Sequence, residues 1–277
     1  MERSGTKRPA PGKPARRKPR RPSGPIAKTA LGAEPEKRGR SDAPAKRAPD
    51  AAGARDLTVK VKSAKGRKLS STLWLQRQLN DPFVAKARAL GYRSRAAFKL
   101  VELNEKFGLL KRGGRIVDLG CAPGGWCQVS AKAVGPTGKV VGIDYLGMEP
   151  VEGTDVLELD FLEDDAPGRL KALLDGPADV VLSDMAQPAT GHRPTDHLKI
   201  VALCEAALDF AEDVLAPGGA FACKVLQGGT ERQLLDRLKT VFTSVKHAKP
   251  ESSRADSAEM YVVATGYRGG NSKPDGE

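Results

Sequence analysis

Between Gly113 and Arg268 the chain alternates short strand-like runs with amphipathic stretches, and this alternation restricts the fold more than any other feature. The runs are Arg115 to Leu119, Lys139 to Asp144, Val156 to Asp160, Ala178 to Asp184, Ala220 to Leu226, Ser244 to Lys249 and Met260 to Thr265. Helical periods separate most of them. The clearest carries Leu198, Val201, Leu208, Ala211 and Leu215 and stops at Ala216-Pro217-Gly218-Gly219. Alternating βα units predict an α/β fold: a mainly parallel seven-stranded sheet with helices on both faces. Only a loop joins the last two runs, too short for a parallel crossover, so the last strand is predicted antiparallel.

Two helices are predicted ahead of the sheet. Asp81-Pro82 reads as a cap and first helical position, followed by Phe83, Val84, Ala87 and Leu90 before Gly91. A second helix runs from Arg95 to Phe107 with the apolar stripe Ala97, Leu100, Val101 and Phe107, which puts Arg95, Lys99 and Lys106 on the opposite face. From Lys86 to Arg115 there are nine basic residues against Glu102 and Glu105. On composition alone that pattern reads as a solvated helix face.

The net charge of +12 conceals a division. Residues 1–70 hold 21 of the 46 Lys and Arg but 6 of the 34 Asp and Glu, a net +15, so the remainder sums to −3. Nine of the 20 prolines fall within the first 56 residues. Residues 1–69 therefore read as a disordered, basic, Pro-rich tail, 70–268 as a folded domain and 269–277 as a flexible end. Proline at that density opposes the amphipathic helix of a transit peptide. No apolar run is long enough to span a membrane. Cys121, Cys127, Cys204 and Cys223 form no CxxC pair and have no histidines at ligand spacing, which predicts neither zinc nor a disulfide framework and fits reduced thiols in the cytoplasm.

Asp118-Leu119-Gly120-Cys121-Ala122-Pro123-Gly124-Gly125-Trp126 ends the first strand and opens a helix. Glycines there let the backbone bend sharply and approach a ligand at the carboxyl edge of the sheet, although a tight turn with an aromatic residue behind it has the same composition. The spacing is neither GxGxxG nor a P-loop. Asp144 ends the second strand, where a carboxylate accepts two ribose hydroxyls. Asp160, at the end of the third, could bond an adenine amino group or cap the following turn. A nicotinamide dehydrogenase also wants the second-strand acid but would carry the other glycine spacing.

Adding Arg93-Ser94-Arg95-Ala96-Ala97-Phe98-Lys99-Leu100, Ser183-Asp184-Met185-Ala186, Lys224-Val225-Leu226-Gln227-Gly228, and Ser252-Ser253-Arg254 with Glu259, the chain closely resembles the FtsJ/RrmJ family of heat-shock RNA methyltransferases from about Ser70 to Arg268. The resemblance implies a Rossmann-like fold that uses S-adenosylmethionine to methylate a uridine 2′-hydroxyl in the A-loop of 23S rRNA on the large ribosomal subunit. It implies a catalytic tetrad of Lys99, Asp184, Lys224 and Glu259, and cofactor contacts from Gly124, Trp126, Asp144, Asp160 and Asp184. Family members often continue Asp-Met-Ala with Pro-Asn, whereas this chain has Gln187-Pro188. The basic tail lies outside the family core.

Methyl transfer to a ribose needs the hydroxyl oriented and its proton received. Lys224 is the predicted base or proton acceptor, Lys99 orients the substrate and lowers the pKa of its neighbour, and Asp184 and Glu259 fix both ammonium groups. An isolated lysine, with a pKa of about 10.4, is protonated at neutral pH. A dry site and a second lysine lower that value while two carboxylates raise it, and composition does not decide between them. A non-catalytic rRNA-binding assembly factor and a methyltransferase for another RNA are the alternatives. A nucleic-acid-condensing protein explains the tail but not the acidic domain. The expected protein is a monomer without metal or membrane.

Overall fold

The computed structural model describes residues 60, 61, 66, 68–188, 190–227 and 232–269. The proposed basic tail, apart from residues 60, 61, 66, 68 and 69, lies outside the described residues, as do Gly228 and the chain end beyond Gly269.

Three helices come first: α1 (Leu69–Leu79), α2 (Pro82–Ala89) and α3 (Ala96–Phe107). Asp81 caps α2 by accepting the Phe83 N–H at 3.0 Å, with Pro82 at the first helical position. Gly108, in the left-handed region, ends α3. Then follow β1 (Arg115–Leu119), α4 (Gly125–Val134), β2 (Lys139–Asp144), β3 (Asp155–Glu158), α5 (Ala166–Leu174), β4 (Ala178–Ser183) and α6 (Arg193–Val214). The chain closes with β5 (Leu215–Leu226), α7 (Arg232–Val241), β6 (Phe242–Ala248) and β7 (Glu259–Tyr267).

The seven strands form one sheet in the order β3-β2-β1-β4-β5-β7-β6. Neighbouring pairs from β3 to β5 are parallel, and β7 runs antiparallel between β5 and β6, as the short last connection predicts. Consecutive strand residues face opposite sides. Ile116, Val180 and Ala222 pack with α3 and α4, while Val117, Val181 and Phe221 pack with the helices of the other face, among them α5 and α6. The order reverses between β1 and β4, so their following loops diverge and leave a crevice at the carboxyl edge.

Three local expectations change. Leu198 is exposed, and burial on α6 begins at Ile200. The apolar stripe of α6 covers the sheet from Ile200 onward, and the turns before it carry no buried residue. Pro217 and Gly218 do not separate α6 from β5. They bulge within the longer strand, where the pairing jumps from Ala178↔Leu215 to Val180↔Ala220. Asp160 lies two residues beyond the end of β3, and Asp184 is the first residue after β4.

Candidate active site

The crevice holds a cavity of about 220 Å³, lined by Gly120, Ala122, Asp144, Asp160, Asp184 and Met185 among others. Gly120 is there because the β1 and β4 loops touch: its φ is +79°, and an added Cβ would stand 2.8 Å from Met185 Cγ and 2.9 Å from Met185 Cα. Asp144, almost fully buried, accepts the Ala122 N–H at 2.9 Å on one oxygen and the Leu146 N–H at 2.9 Å on the other. Each oxygen keeps a second acceptor site for a ribose hydroxyl. Asp160 caps the following turn through the Leu162 N–H at 3.0 Å and also faces the cavity, so the two roles open to it from sequence are compatible. Tyr145, Leu146 and Leu162 form an exposed apolar lip suited to a flat aromatic ring. A nucleoside with free ribose hydroxyls fits this set of acceptors.

Gly124 and Trp126 do not line that cavity. The Trp126 indole is buried in the core, donates to Ala96 O at 2.8 Å and packs on Tyr261 with ring centroids 5.7 Å apart. What α4 offers a ligand is the backbone amides of its first turn.

Next to the cavity, four charged side chains from four elements or their ends converge. Lys99 Nζ lies 2.7 Å from Glu259 Oε1 and 3.8 Å from Asp184 Oδ2. Lys224 Nζ lies 2.8 Å from Asp184 Oδ1 and donates to Asp184 O at 2.6 Å. Tyr261 joins them, its hydroxyl donating to Asp184 Oδ1 at 2.7 Å and lying 3.4 Å from Glu259 Oε1. Ser253 Oγ donates to Glu259 Oε1 at 3.0 Å. Tyr261 was legible in principle: it sits two residues after Glu259, on the same face of β7, and pairs directly with Lys224 of β5. Its aromatic character reads first as core.

The balance of charge around Lys224 is now settled by geometry. Burial lowers its pKa, but the Asp184 carboxylate, by charge and hydrogen bond, and then Glu259 more than offset this and hold it above the ordinary lysine value. Burial likewise acts to raise Asp184, yet Lys224, Lys99 and the Tyr261 hydroxyl bring it below the usual carboxylate value. Lys224 is an ammonium and Asp184 a carboxylate at neutral pH. Behind the loop, fully buried Asp118 is pushed up to about 7 by desolvation, against the Cys127 thiol hydrogen bond and with the charges of Asp184 and Asp144.

The basic face expected on α3 is divided. Lys99 turns inward and is almost fully buried. Arg95 is held 3.0 Å from Asp81 and bonds Ser252 O. Arg93 donates to the carbonyls of Pro123, Glu149 and Pro150. Lys106 alone of these stays exposed without such a tie among the described residues.

The sequence profile described as FtsJ-like methyltransferase matches residues 92–267. A ribosomal RNA large subunit methyltransferase E from Paramagnetospirillum magneticum is 64% identical over 224 residues, covering 79% of this chain and 92% of that protein. One of the same name from Rhodospirillum rubrum is 59% identical over 221 residues, covering 78% and 84%. Among solved structures, a ribosomal RNA methyltransferase from Plasmodium falciparum superposes with a TM-score of 0.57 at 33% identity, covering 65% of this chain and all of that one.

Proposed function

The chain belongs to the FtsJ-like methyltransferase family, and from that premise we propose that it methylates the 2′-hydroxyl of a uridine in the A-loop of 23S rRNA on the large ribosomal subunit, using S-adenosylmethionine. The observation that carries this reading is the cluster of Lys99, Asp184, Lys224 and Glu259 beside a cavity lined by Asp144 and Asp160 at the sheet's switch point. The names borne by relatives up to 64% identical support the choice of RNA.

When bound, S-adenosylmethionine supplies a methyl group on a sulfonium centre whose carrier departs neutral, so no general acid is needed. Asp144 and Asp160, which line the cavity, would hold the cofactor there. Asp184 belongs to both cavity and tetrad and sets the distance between them. Lys224 orients the ribose oxygen and takes its proton. Because Lys224 is held as an ammonium, it must first lose a proton to act as base. A cation brought to Asp184 weakens that carboxylate's hold and lowers the lysine's pKa. Lys99, fixed by Glu259, adds a second positive charge working in the same direction.

The catalytic unit we propose spans 70–268, flanked by a basic tail and a short C-terminal end, and acts as a cytoplasmic monomer. No helix among the described residues is long and apolar enough to cross a membrane. The test is transfer of a tritiated methyl group to large subunits that lack the modification, followed by mapping of the labelled nucleotide. Label on an A-loop ribose is expected; label on a base, or none on RNA, would overturn the reading.

A further inference from the structure

A second groove, of about 870 Å³, opens on Lys224 and Glu259, which the cofactor cavity does not reach. Its walls are the first turns of α6 and residues 255–258 ahead of β7. Ala186 and Gln187 line both spaces, so groove and cavity meet just after Asp184. A ribose presented to Lys224 and to a methyl group in the cavity must lie at that junction. The chain of phosphates on which the ribose is strung must then leave along the groove.

The α6 wall is suited to receive it. Arg193, His197 and Lys199 line the groove. Arg193 is exposed, and neither it nor Lys199 forms an ion pair among the described residues. The nearest acid on the same helix is already occupied. Asp196 accepts Thr190 N and Thr190 Oγ1, each at 2.7 Å, and Gly191 N at 3.2 Å, which folds residues 190–192 back onto the helix start. His192 Nδ1 and Thr195 Oγ1, 2.8 Å apart, brace the same turn. Across the groove Glu259 is neutralised by Lys99, and Asp256 is the remaining acid. Meanwhile Arg93 and Arg95 of the α3 region are tied to carbonyls and to Asp81. Among the described residues, the groove cations that form no salt bridge are Arg193 and Lys199 of α6, the latter within electrostatic range of Asp196.

Building on the rRNA reading above, we propose that this groove binds the single-stranded nucleotides flanking the target ribose, with Arg193 and Lys199 contacting their phosphates. Such contacts position a strand without reading its bases. The exposed early turns of α6, unexplained by core packing, are on this account an RNA rail.

The experiment uses the full-length R193Q/K199Q variant, a bare 23S rRNA fragment and assembled subunits as substrates. KM for the bare fragment is expected to rise about tenfold with kcat changed less than twofold. The slope of log affinity against log salt should become shallower by about 1.4, at roughly 0.7 per single-strand contact. Unchanged cofactor affinity shows that the variant is folded, and Lys239→Gln on α7, outside the groove, should alter nothing. Unchanged KM and slope on an RNA that the parent protein methylates would overturn the groove and leave the activity standing. An equal effect from Lys239→Gln would reduce it to general charge. Weakening on subunits alone would assign the surface to a ribosomal protein. If the parent protein methylates no RNA at all, both readings fall together.

Discussion

Lys224 stands where two carboxylates outweigh burial, and its chemistry follows from that balance. Lys224→Ala should lower single-turnover rates by about 10² to 10⁴, the usual loss of a general base, with cofactor affinity nearly intact. The parent rate should rise about tenfold per pH unit through the neutral range, because the neutral fraction of a lysine below its pKa does so. Asp144→Ala should do the reverse: calorimetry should find cofactor binding weakened by about 1.5 to 3 kcal/mol, the range for hydrogen bonds to a charged group. A fully active Lys224→Ala enzyme would sink the mechanism. Asp118 gives a separate test. Its folded pKa, about 7, lies above the ordinary 3.8, so the unfolded chain ionises first. Stability therefore falls as pH rises from 3.8 to about 7, by at most about 1.4 kcal/mol per unit, and the loss then levels off. Urea unfolding at pH 4.5 and 8 should show Asp118→Asn gaining on the parent at the higher pH; an equal difference at both would mean that Asp118 titrates normally. The four charged residues were reached through the family resemblance, and what the geometry adds is that they converge; the place of Asp144 at the end of β2 was legible from the strand run itself. Tyr261 and the inward turn of Trp126 were not, because an aromatic residue beside a glycine loop or on a core strand looks alike whether it touches ligand or core.

At the scale of elements, the strands were legible as short runs between helical periods, and β1 and β2 were legible to the residue because Gly and charged residues bound them. Helices were legible only where one face is buried. On α1 the leucines Leu69, Leu73 and Leu79 are exposed and set no buried period. On α3 a 100° projection puts Lys99 with Arg95 and Lys106, but it cannot tell solvent from a buried carboxylate, and Glu259 supplies one from a strand 160 positions away. The junction of the β1 and β4 loops is the element-level feature most open to test. Gly120→Ala forces a side chain into the left-handed region and against Met185 backbone, next to Asp184. Backbone strain of this kind costs about 1 to 3 kcal/mol. Chemical denaturation should register that loss, and cofactor titration a weaker affinity, since Gly120 lines the cavity. Stability and affinity like those of the parent would mean that the two loops move apart at no cost.

Over the whole molecule, charge is distributed as two opposing parts, a +15 segment in residues 1–70 and a remainder, residues 71–277, of −3 that must approach a polyanion. The domain brings a cationic rail on α6, yet its net charge would slow association, and the basic segment reverses that sign. Residues 1–70 contain no Phe, Trp or Tyr to stack on a base, so their contribution is expected to be electrostatic and indifferent to sequence. If about six of these charges contact duplex rRNA together, the slope of log affinity against log salt steepens by about five, at roughly 0.9 per contact. Removing residues 1–56 should therefore weaken subunit binding most at low salt, with the two proteins converging as salt rises, because counterion release loses its advantage in concentrated salt. The methylated nucleotide should stay the same, since Asp184, Lys224 and the groove that leads to them all lie beyond the deletion. Unchanged affinity and slope would make the segment a solvated linker. Label on a different nucleotide would mean that target choice resides in the segment and not in the folded domain.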